Sequence, residues 1–567
     1  MKRVLTYLKP YIARMTFGFI IKVLGTLMDL GLPWILAYIL DDVIPLKKVS
    51  FILYWGLAMI GLSIGARTFN IIANRMAARV ARNATQNLRH DLFEKILSLS
   101  GTQLDHFTIP SLESRMTSDT YNIHNMIGMM QRIGVRAPII LIGGIMVTST
   151  LEPVLTLILI GSLPILTLIV YLVSKKGIPL YLSQQLSVDK MVRVVRENIT
   201  GVRVIKALSK SGYEKQRFSD TNSEVVDREL KAGTTMAVTN PAMNLVFNLG
   251  LTLVVIVGAY RINAGVSAPG KIVAFLSYFT IMLQAIMAIT RIFVVYSKAS
   301  ASASRIALVL EAEEDLKVAE QQKAENSEEH IAFHHVSFSY TQEPCIIDMD
   351  FGIKKGQSLG IIGSTGSGKT TLINLLMRFY DVTEGSITIE GQNIKSMDKL
   401  ELRRRFGVVF QNDVLFSDRV YENISLGREL PKDRVLESAE HAQAEAFIEE
   451  LEGQLDFKLS IKGSNLSGGQ KQRLLVARAL AGRPEILILD DSSSALDYKT
   501  DSQLRKAIRE NYEGTTTIVI AQRISSVMKL DHILVLEDGR MAGYGTHEEL
   551  MDSCEVYKEI YQSQMLS

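Results

Sequence analysis

Cysteine is almost missing from this chain: Cys345 and Cys554 are its only thiols in 567 residues. Two thiols so far apart exclude a disulfide framework and a zinc cluster, and they fit reduced bystanders in a cytosolic compartment. Excess charge of one sign is also lacking. Lys and Arg number 62 against 59 Asp and Glu, a net charge of +3, so no nucleic-acid partner is expected. The basic N-terminus, Met1 to Pro10, leads to no small-residue cleavage site. A removable signal peptide is therefore not expected.

What the chain does have is divided into two halves. Its mean hydropathy of +0.17 averages an apolar stretch from about residue 15 to 296 with a charged stretch from 331 to the end. The apolar half predicts six membrane spans. They fall at about Met15–Leu40, Phe51–Ile72, Ala137–Leu151, Val154–Val173, within Ala232–Tyr260, and at Ile272–Val295. A span needs roughly 20 apolar residues, so the third is marginal without its flanks. Six spans put both termini on one side. Segments 73–136 and 174–237 carry eight and twelve Lys/Arg, whereas the other connections carry only Lys47, Lys48, Arg261 and Lys271. That bias makes the termini cytoplasmic.

The two long connections read as helical extensions of the spans, with reversing tips expected near Ser118–Asn122 and Lys210–Gln216. Lys22, Asp29, Arg67 and Arg291 stand at membrane depth. They either line a polar translocation path or are satisfied by snorkelling and structural pairing. Domain limits are expected at 1–310 for the membrane domain, 311–330 for an acidic polar linker, and 331–567 for a soluble α/β domain.

In the soluble half, Ser358–Ile362 reads as a short apolar strand. It runs into Gly363-Ser364-Thr365-Gly366-Ser367-Gly368-Lys369-Thr370, and Thr371 to Phe379 continue as a helix. This is the strand–loop–helix setting of a phosphate-binding loop. Backbone N–H groups of such a loop cradle phosphates, Lys369 adds charge to their oxygens, and Thr370 offers a hydroxyl to Mg²⁺. Ile486–Asp490 reads as a buried strand ending in an acid, and Asp490 is the expected partner of the hydrated Mg²⁺. Leu466-Ser467-Gly468-Gly469-Gln470 opens a helix that runs through Ala481. Serine and glycines at a helix N-terminus make an anion site.

With these motifs in this order, the chain resembles a half-transporter of the ATP-binding cassette family, of the exporter type. The resemblance covers nearly the whole chain. It implies an all-α six-helix transmembrane domain with long cytoplasmic helical extensions, followed by an α/β P-loop NTPase domain with an α-helical subdomain. ATP and Mg²⁺ are the implied cofactors, bound through the loop from Gly363 to Thr371. Tyr340 matches the aromatic that stacks on adenine. Gln411 matches the glutamine that touches Mg²⁺. Ser494-Ala495-Leu496-Asp497 matches a loop that crosses between paired cassettes. The family's cassettes pair head to tail, each ATP lying between the P-loop of one and the Leu466–Gln470 equivalent of the other. One chain with one cassette must then dimerise.

The sequence departs from the family at two hydrolytic positions. The acid after Asp490 is Asp491 where the family has glutamate, and Gln522 stands where it has a switch histidine. The loop Ser460-Ile461-Lys462-Gly463 also differs from the usual Gly-Glu-Arg-Gly. Aspartate is one methylene shorter, and a catalytic group misplaced by about 1 Å can cost about a hundredfold. Glutamine can hydrogen-bond but cannot protonate. This pattern resembles the degenerate half of bacterial heterodimeric multidrug exporters. It implies a second half-transporter with an intact catalytic glutamate, a plasma-membrane location in a bacterium, and a hydrophobic or amphipathic cargo such as drugs or lipids. A homodimeric exporter with slow symmetric sites remains an alternative, as does an ATP-gated regulatory or channel subunit. The first span begins near residue 15, so no N-terminal peptidase domain is expected.

Overall fold

A computed structural model describes residues 1–313, 315–319, 327–341, 343–492 and 495–565, apart from the Lys2 side chain. The described chain forms two compact units: Met1–Ser98 with Pro110–Ala312, and Leu99–Ile109 with Glu313–Ser567. The expected linker, 311–330, lies partly outside the described residues.

The first unit is helical. Six long runs are apolar enough to span a bilayer: Arg3–Leu46, Val49–Ser98, Ile109–Leu151, Pro153–Thr200, Ser211–Asn263 and Pro269–Leu310. Each has 42 to 53 residues, and about 20 suffice to cross the hydrocarbon, so every run extends well beyond a membrane. The marginal third span is one part of a 43-residue run, which supplies the flanks it needed. Short connections are closed by carboxylates. Asp41 accepts from the backbone N–H groups of Gly270 and Lys271 at 2.6 and 3.0 Å, capping the sixth run. Buried Glu152 pairs with Arg261 at 2.8 Å.

The first expected tip is misplaced. Residues 118–122 lie inside the third run, within a π-turn at Arg115–Asp119 and the helix Thr120–Met129. Their polarity suggested a turn, but it is spent on packing against the sixth run. Buried Asp119 accepts from Ser302 Oγ at 2.8 Å and from Arg305 Nε at 2.8 Å, and Asn122 donates to Ser302 at 3.0 Å. The chain instead reverses at Leu99–Ile109, around a short helix Gly101–Phe107. Ser100 and Gln103 close a capping box there, and Thr108 ends the helix at φ +58°. The second reversal lies N-terminal to its expected place. It is built on Val202–Ala207 and Ser209 (φ +51°), and helix resumes at Ser211.

The second unit carries two sheets. A four-stranded antiparallel sheet has the order β2-β1-β4-β5, from β1 (Ile331–Phe338), β2 (Ile346–Ile353), β4 (Glu384–Ile389) and β5 (Gln392–Asn393). A six-stranded sheet has the order β10-β9-β3-β8-β7-β6. Its strands are β3 (Ser358–Gly363), β6 (Phe406–Val409), β7 (Ile486–Asp490), β8 (Thr516–Ile520), β9 (His532–Glu537) and β10 (Arg540–Gly545). All neighbours are parallel except β9 and β10. Strands β3 and β7 are buried through their centres, as strands covered on both faces must be. Helices Val420–Ser425, Lys432–His441, Glu445–Glu449 and Gly468–Ala481 share a separate apolar cluster, which includes Val476, Leu480 and Phe447. That cluster forms the helical subdomain.

Candidate functional site

The C-terminal ends of β3, β7 and β8 lie side by side in the parallel sheet, where such sheets place their ligands. β3 delivers the glycine loop. Gly366 and Gly368 take φ of +88° and +102°, and a Cβ on Gly368 would come within 2.6 Å of Ile346. Around Gly366 nothing lies within 4 Å of such a Cβ, so the loop there is an open cradle. Buried Ser367 folds its N–H back to Ser364 at 3.2 Å. Lys369 opens the following helix, Lys369–Leu376. Its Nζ donates to the carbonyls of Gly363 and Ser364 at 2.9 and 2.6 Å.

A cavity of about 300 Å³ gathers half of the expected site: Thr365, Gly366, Gly368, Lys369, Thr370 and Thr371 from the loop side. Gln411, Asp490, Asp491 and Gln522 close the other side. Thr370 Oγ1 donates to Asp490 Oδ2 at 3.2 Å. A hydroxyl, a carboxylate and the Gln411 amide in one cavity form an all-oxygen donor set, which suits a small hard cation such as Mg²⁺. Burial pushes the Asp490 carboxyl above the usual range, against the hydrogen bond from Thr370, with Asp491 adding repulsion and Lys369 opposing it. Burial likewise lowers the Lys369 ammonium, opposed by Asp490 and Asp491.

Tyr340 stands beside this cavity, 44% exposed, with its hydroxyl 3.4 Å from Thr371 Oγ1. Its ring meets Tyr380 edge-on, with centroids 5.0 Å apart. Asp491 follows β7 with φ +51°, a left-handed backbone that aspartate tolerates better than most residues. Its N–H donates to the Ile520 carbonyl at 3.0 Å.

Leu466 to Gln470 do not line this cavity. Leu466 is buried in the helical subdomain, and Ser467 caps the helix Gly468–Ala481. Ser467 Oγ accepts from the Gln470 N–H, and Gln470 Oε1 accepts from the Ser467 N–H. Asp497 is also outside the cavity. It caps the helix Tyr498–Asn511, with both carboxylate oxygens bonded to Thr500. Ser494 of the same expected loop lies outside the described residues.

The contacts of three residues were not visible from the sequence. Gln472 donates from Nε2 to the Asp491 carbonyl at 3.1 Å and accepts at Oε1 from the Ala495 N–H at 3.0 Å. It ties the acid after β7 to the following loop. Gln564 donates to the Gln522 carbonyl at 2.9 Å and accepts from the Ile524 N–H at 2.8 Å, holding the loop after β8. Tyr380 donates to Asp105 in the Gly101–Phe107 helix. Glutamines and tyrosines at these positions carry no local pattern, so only the fold reveals them.

Comparison with known proteins agrees with this geometry. Residues 15–286 match the ABC transporter transmembrane region, and residues 346–494 match the ABC transporter family. The chain is 35% identical over 570 residues to YfiB, an uncharacterized ABC transporter ATP-binding protein of Bacillus subtilis (strain 168), covering 100% of this chain and 98% of the relative. It is 28% identical to the ATP-dependent lipid A-core flippase of Syntrophus aciditrophicus (strain SB), covering 99% and 94%. A solved bacterial Atm1-family ABC exporter with ATP bound superposes with a TM-score of 0.83 over 98% of both chains, at 23% identity. That last likeness is one of fold.

Proposed function

The chain belongs to the ATP-binding cassette transporter family, and from that premise we propose that it is the weakly hydrolysing half of a heterodimeric exporter. Membership brings ATP binding, ATPase-coupled transport, a multi-pass membrane domain and a dimeric working form. The identity of the partner, the cargo and the division of labour are our reading.

Asp491 and Gln522 at the two hydrolytic positions carry the weak-site part of that reading, and one observation supports its dimeric part. Lys369, Thr370, Asp490, Asp491 and Gln522 share a cavity that the residues Leu466–Gln470 do not line. A second chain's equivalent of Leu466–Gln470 then has to complete this ATP site, and this chain's own Leu466–Gln470 is free to complete another. Lys369, with the open glycine loop, holds the phosphates, and Tyr340 offers its ring to the base. Thr370, Gln411 and Asp490 would hold Mg²⁺, which would supply positive charge to the phosphate oxygens. In this reading Asp491 and Gln522, which line the same cavity, orient the attacking water. The shorter acid and the glutamine hold that water less well than a glutamate and a histidine do. Binding is thereby retained and hydrolysis weakened.

The cassette and both termini face the cytoplasm in this reading, supported by the Lys/Arg bias of the long connections. The cargo is hydrophobic or amphipathic, drug-like or lipid-like. A relative named as a lipid A-core flippase supports a lipid-like cargo.

The test is the Mg-ATPase of the purified chain, alone and with the half-transporter it assembles with. Activity confined to the mixed complex supports the heterodimer. Robust activity of the chain alone, abolished by Lys369→Ala, makes Asp491 a competent base and overturns the reading.

A further inference from the structure

The membrane unit holds a cavity of about 880 Å³ between four of its span helices. Its charged lining residues are Asp29, Arg67, Arg136 and Arg291. Asp29 is already engaged. It pairs with Arg136 at 3.0 Å and accepts from Asn70 at 3.2 Å. Lys22, a further charge expected at membrane depth, is buried against Asn74 at 3.0 Å and does not line the cavity. Arg67 and Arg291 have no hydrogen-bonding or ionic partner among the described residues, and both are exposed. The cavity therefore keeps two unneutralised guanidinium groups.

These charges are not spread evenly. Counted from the short-connection ends of their helices at about 1.5 Å per residue, Arg136, Arg67 and Arg291 lie ~22, ~27 and ~33 Å in. The apolar lining residues Leu36, Ile60, Ile140 and Ile281 lie only ~15 to ~18 Å in by the same rise. One end of the cavity is apolar and the other is basic. A hydrocarbon core is about 30 Å thick, so the basic end sits at the far leaflet's interface. In the orientation proposed above, this is the cytoplasmic leaflet.

Ionisable side chains at membrane depth are costly unless they are paired or solvated, and they mark substrate paths. A neutral apolar cargo filling the cavity would strip water from both guanidinium groups and return nothing. A phosphate or carboxylate head returns forked, charge-assisted hydrogen bonds, and arginine fits these better than lysine does. We infer that this cavity selects an amphipathic anion, its acidic head held by Arg67 and Arg291 and its apolar tail lying along Leu36, Ile60, Ile140 and Ile281. This narrows the cargo class and rests on the exporter reading above. Asp29 keeps Arg136 in place, so Arg136 is a positioning residue and the free pair reads the head. The head can belong to a membrane lipid or to a free single-chain amphiphile.

The test uses the full-length chain in its dimeric assembly, in nanodiscs of neutral phosphatidylcholine. Binding and ATPase stimulation are measured with dioctanoyl phosphatidylglycerol, dioctanoyl phosphatidylcholine, decyl phosphate and decyl maltoside. Both anionic probes are expected to bind at least tenfold tighter than their neutral counterparts. Arg67→Gln with Arg291→Gln should reduce that preference to less than twofold, while Arg67→Lys with Arg291→Lys keeps most of it. A diacyl probe tenfold tighter than decyl phosphate identifies a membrane lipid as the source, and the reverse identifies a free amphiphile. Equal binding of anionic and neutral probes, or a preference that survives the double glutamine variant, overturns the inference. If a neutral probe then binds and stimulates ATPase, the exporter reading stands without it. If none of the four binds or alters ATPase, the inference falls, and the exporter reading is decided by the Mg-ATPase test above.

Discussion

The phenol of Tyr380 donates a 2.7 Å hydrogen bond to the carboxylate of Asp105. Burial, and then that carboxylate, push the phenol well above its usual range, so the proton stays on Tyr380. The same ring meets Tyr340 edge-on at 5.0 Å. A residue expected to stack on adenine is thus one ring away from the helix that joins the second and third span helices. Tyr380→Phe removes a bond to an exposed carboxylate, a loss of about 1 kcal/mol. About 1 kcal/mol is roughly a fivefold change in a docking equilibrium. Transport per ATP hydrolysed should fall about that much, with ATPase largely kept. Gly101→Ala should cost more, because its Cβ would meet the Tyr380 ring at 2.5 Å. Flux and ATPase measured together in vesicles check this. Parallel losses in both would mean that the contact serves only the cassette's fold.

Gln472 makes a second prediction. Its amide bonds the Asp491 carbonyl and the Ala495 N–H together. Asp491 sits in a left-handed backbone, and such a conformation persists only where its surroundings hold it. Gln472→Ala should lower turnover at this site by about tenfold while leaving ATP affinity within about twofold, since two bonds at about 1 kcal/mol each are lost away from the phosphate cradle. Gln472→Glu keeps the acceptor for Ala495 but sets an oxygen against the Asp491 carbonyl, and should not rescue. Single-turnover kinetics beside nucleotide titration separate the two effects.

What the sequence made legible was what lies contiguous in it. Ser358–Ile362 running into the glycine loop, the apolar run of β7 that ends in Asp490, and the helix from Leu466–Gln470 to Ala481 are each written in one stretch of residues. Their neighbours in the sheet follow from the parallel topology. The first reversal was not legible by polarity. Asp119 and Asn122 look like turn residues until Ser302 and Arg305 are seen beside them. The local signal at the true reversal was present as Ser100 and Gln103 of a capping box, three residues apart and followed by Pro110. Gln472, Gln564 and Tyr380 act on partners that only the fold brings near, and nothing in their own neighbourhoods marks them.

The weak-site proposal can be tested by reversing it. Asp491→Glu with Gln522→His restores the longer acid and a protonatable switch in the cavity they already line. In a mixed complex whose other site is disabled, the double variant should raise ATP turnover by about tenfold or more, given the roughly hundredfold cost of a misplaced catalytic group. The left-handed backbone at Asp491 is less welcoming to glutamate, so the gain should stay below about a hundredfold. Steady-state phosphate release measures it. No gain would locate the restraint on hydrolysis elsewhere, with the altered loop Ser460–Gly463 the next place to look.

Asp119 offers a stability prediction independent of nucleotide. It is 1% exposed and takes hydrogen bonds from Ser302 and Arg305, tying the third helical run to the sixth. Arg305→Ala takes a half-exposed cation from that buried carboxylate while Arg115 stays nearby, and losing such a charge-assisted bond costs about 2 kcal/mol. Asp119→Asn removes the charge together with the need for a partner. The amide still accepts from Ser302, so the loss should be about 1 kcal/mol. The double variant should therefore be more stable than Arg305→Ala alone. Thermal unfolding of the detergent-solubilised protein reads all three. If Arg305→Ala and the double variant melt together, Asp119 is reached by water once the arginine is gone, and the tie between the two helices rests on Ser302 and the apolar packing around it.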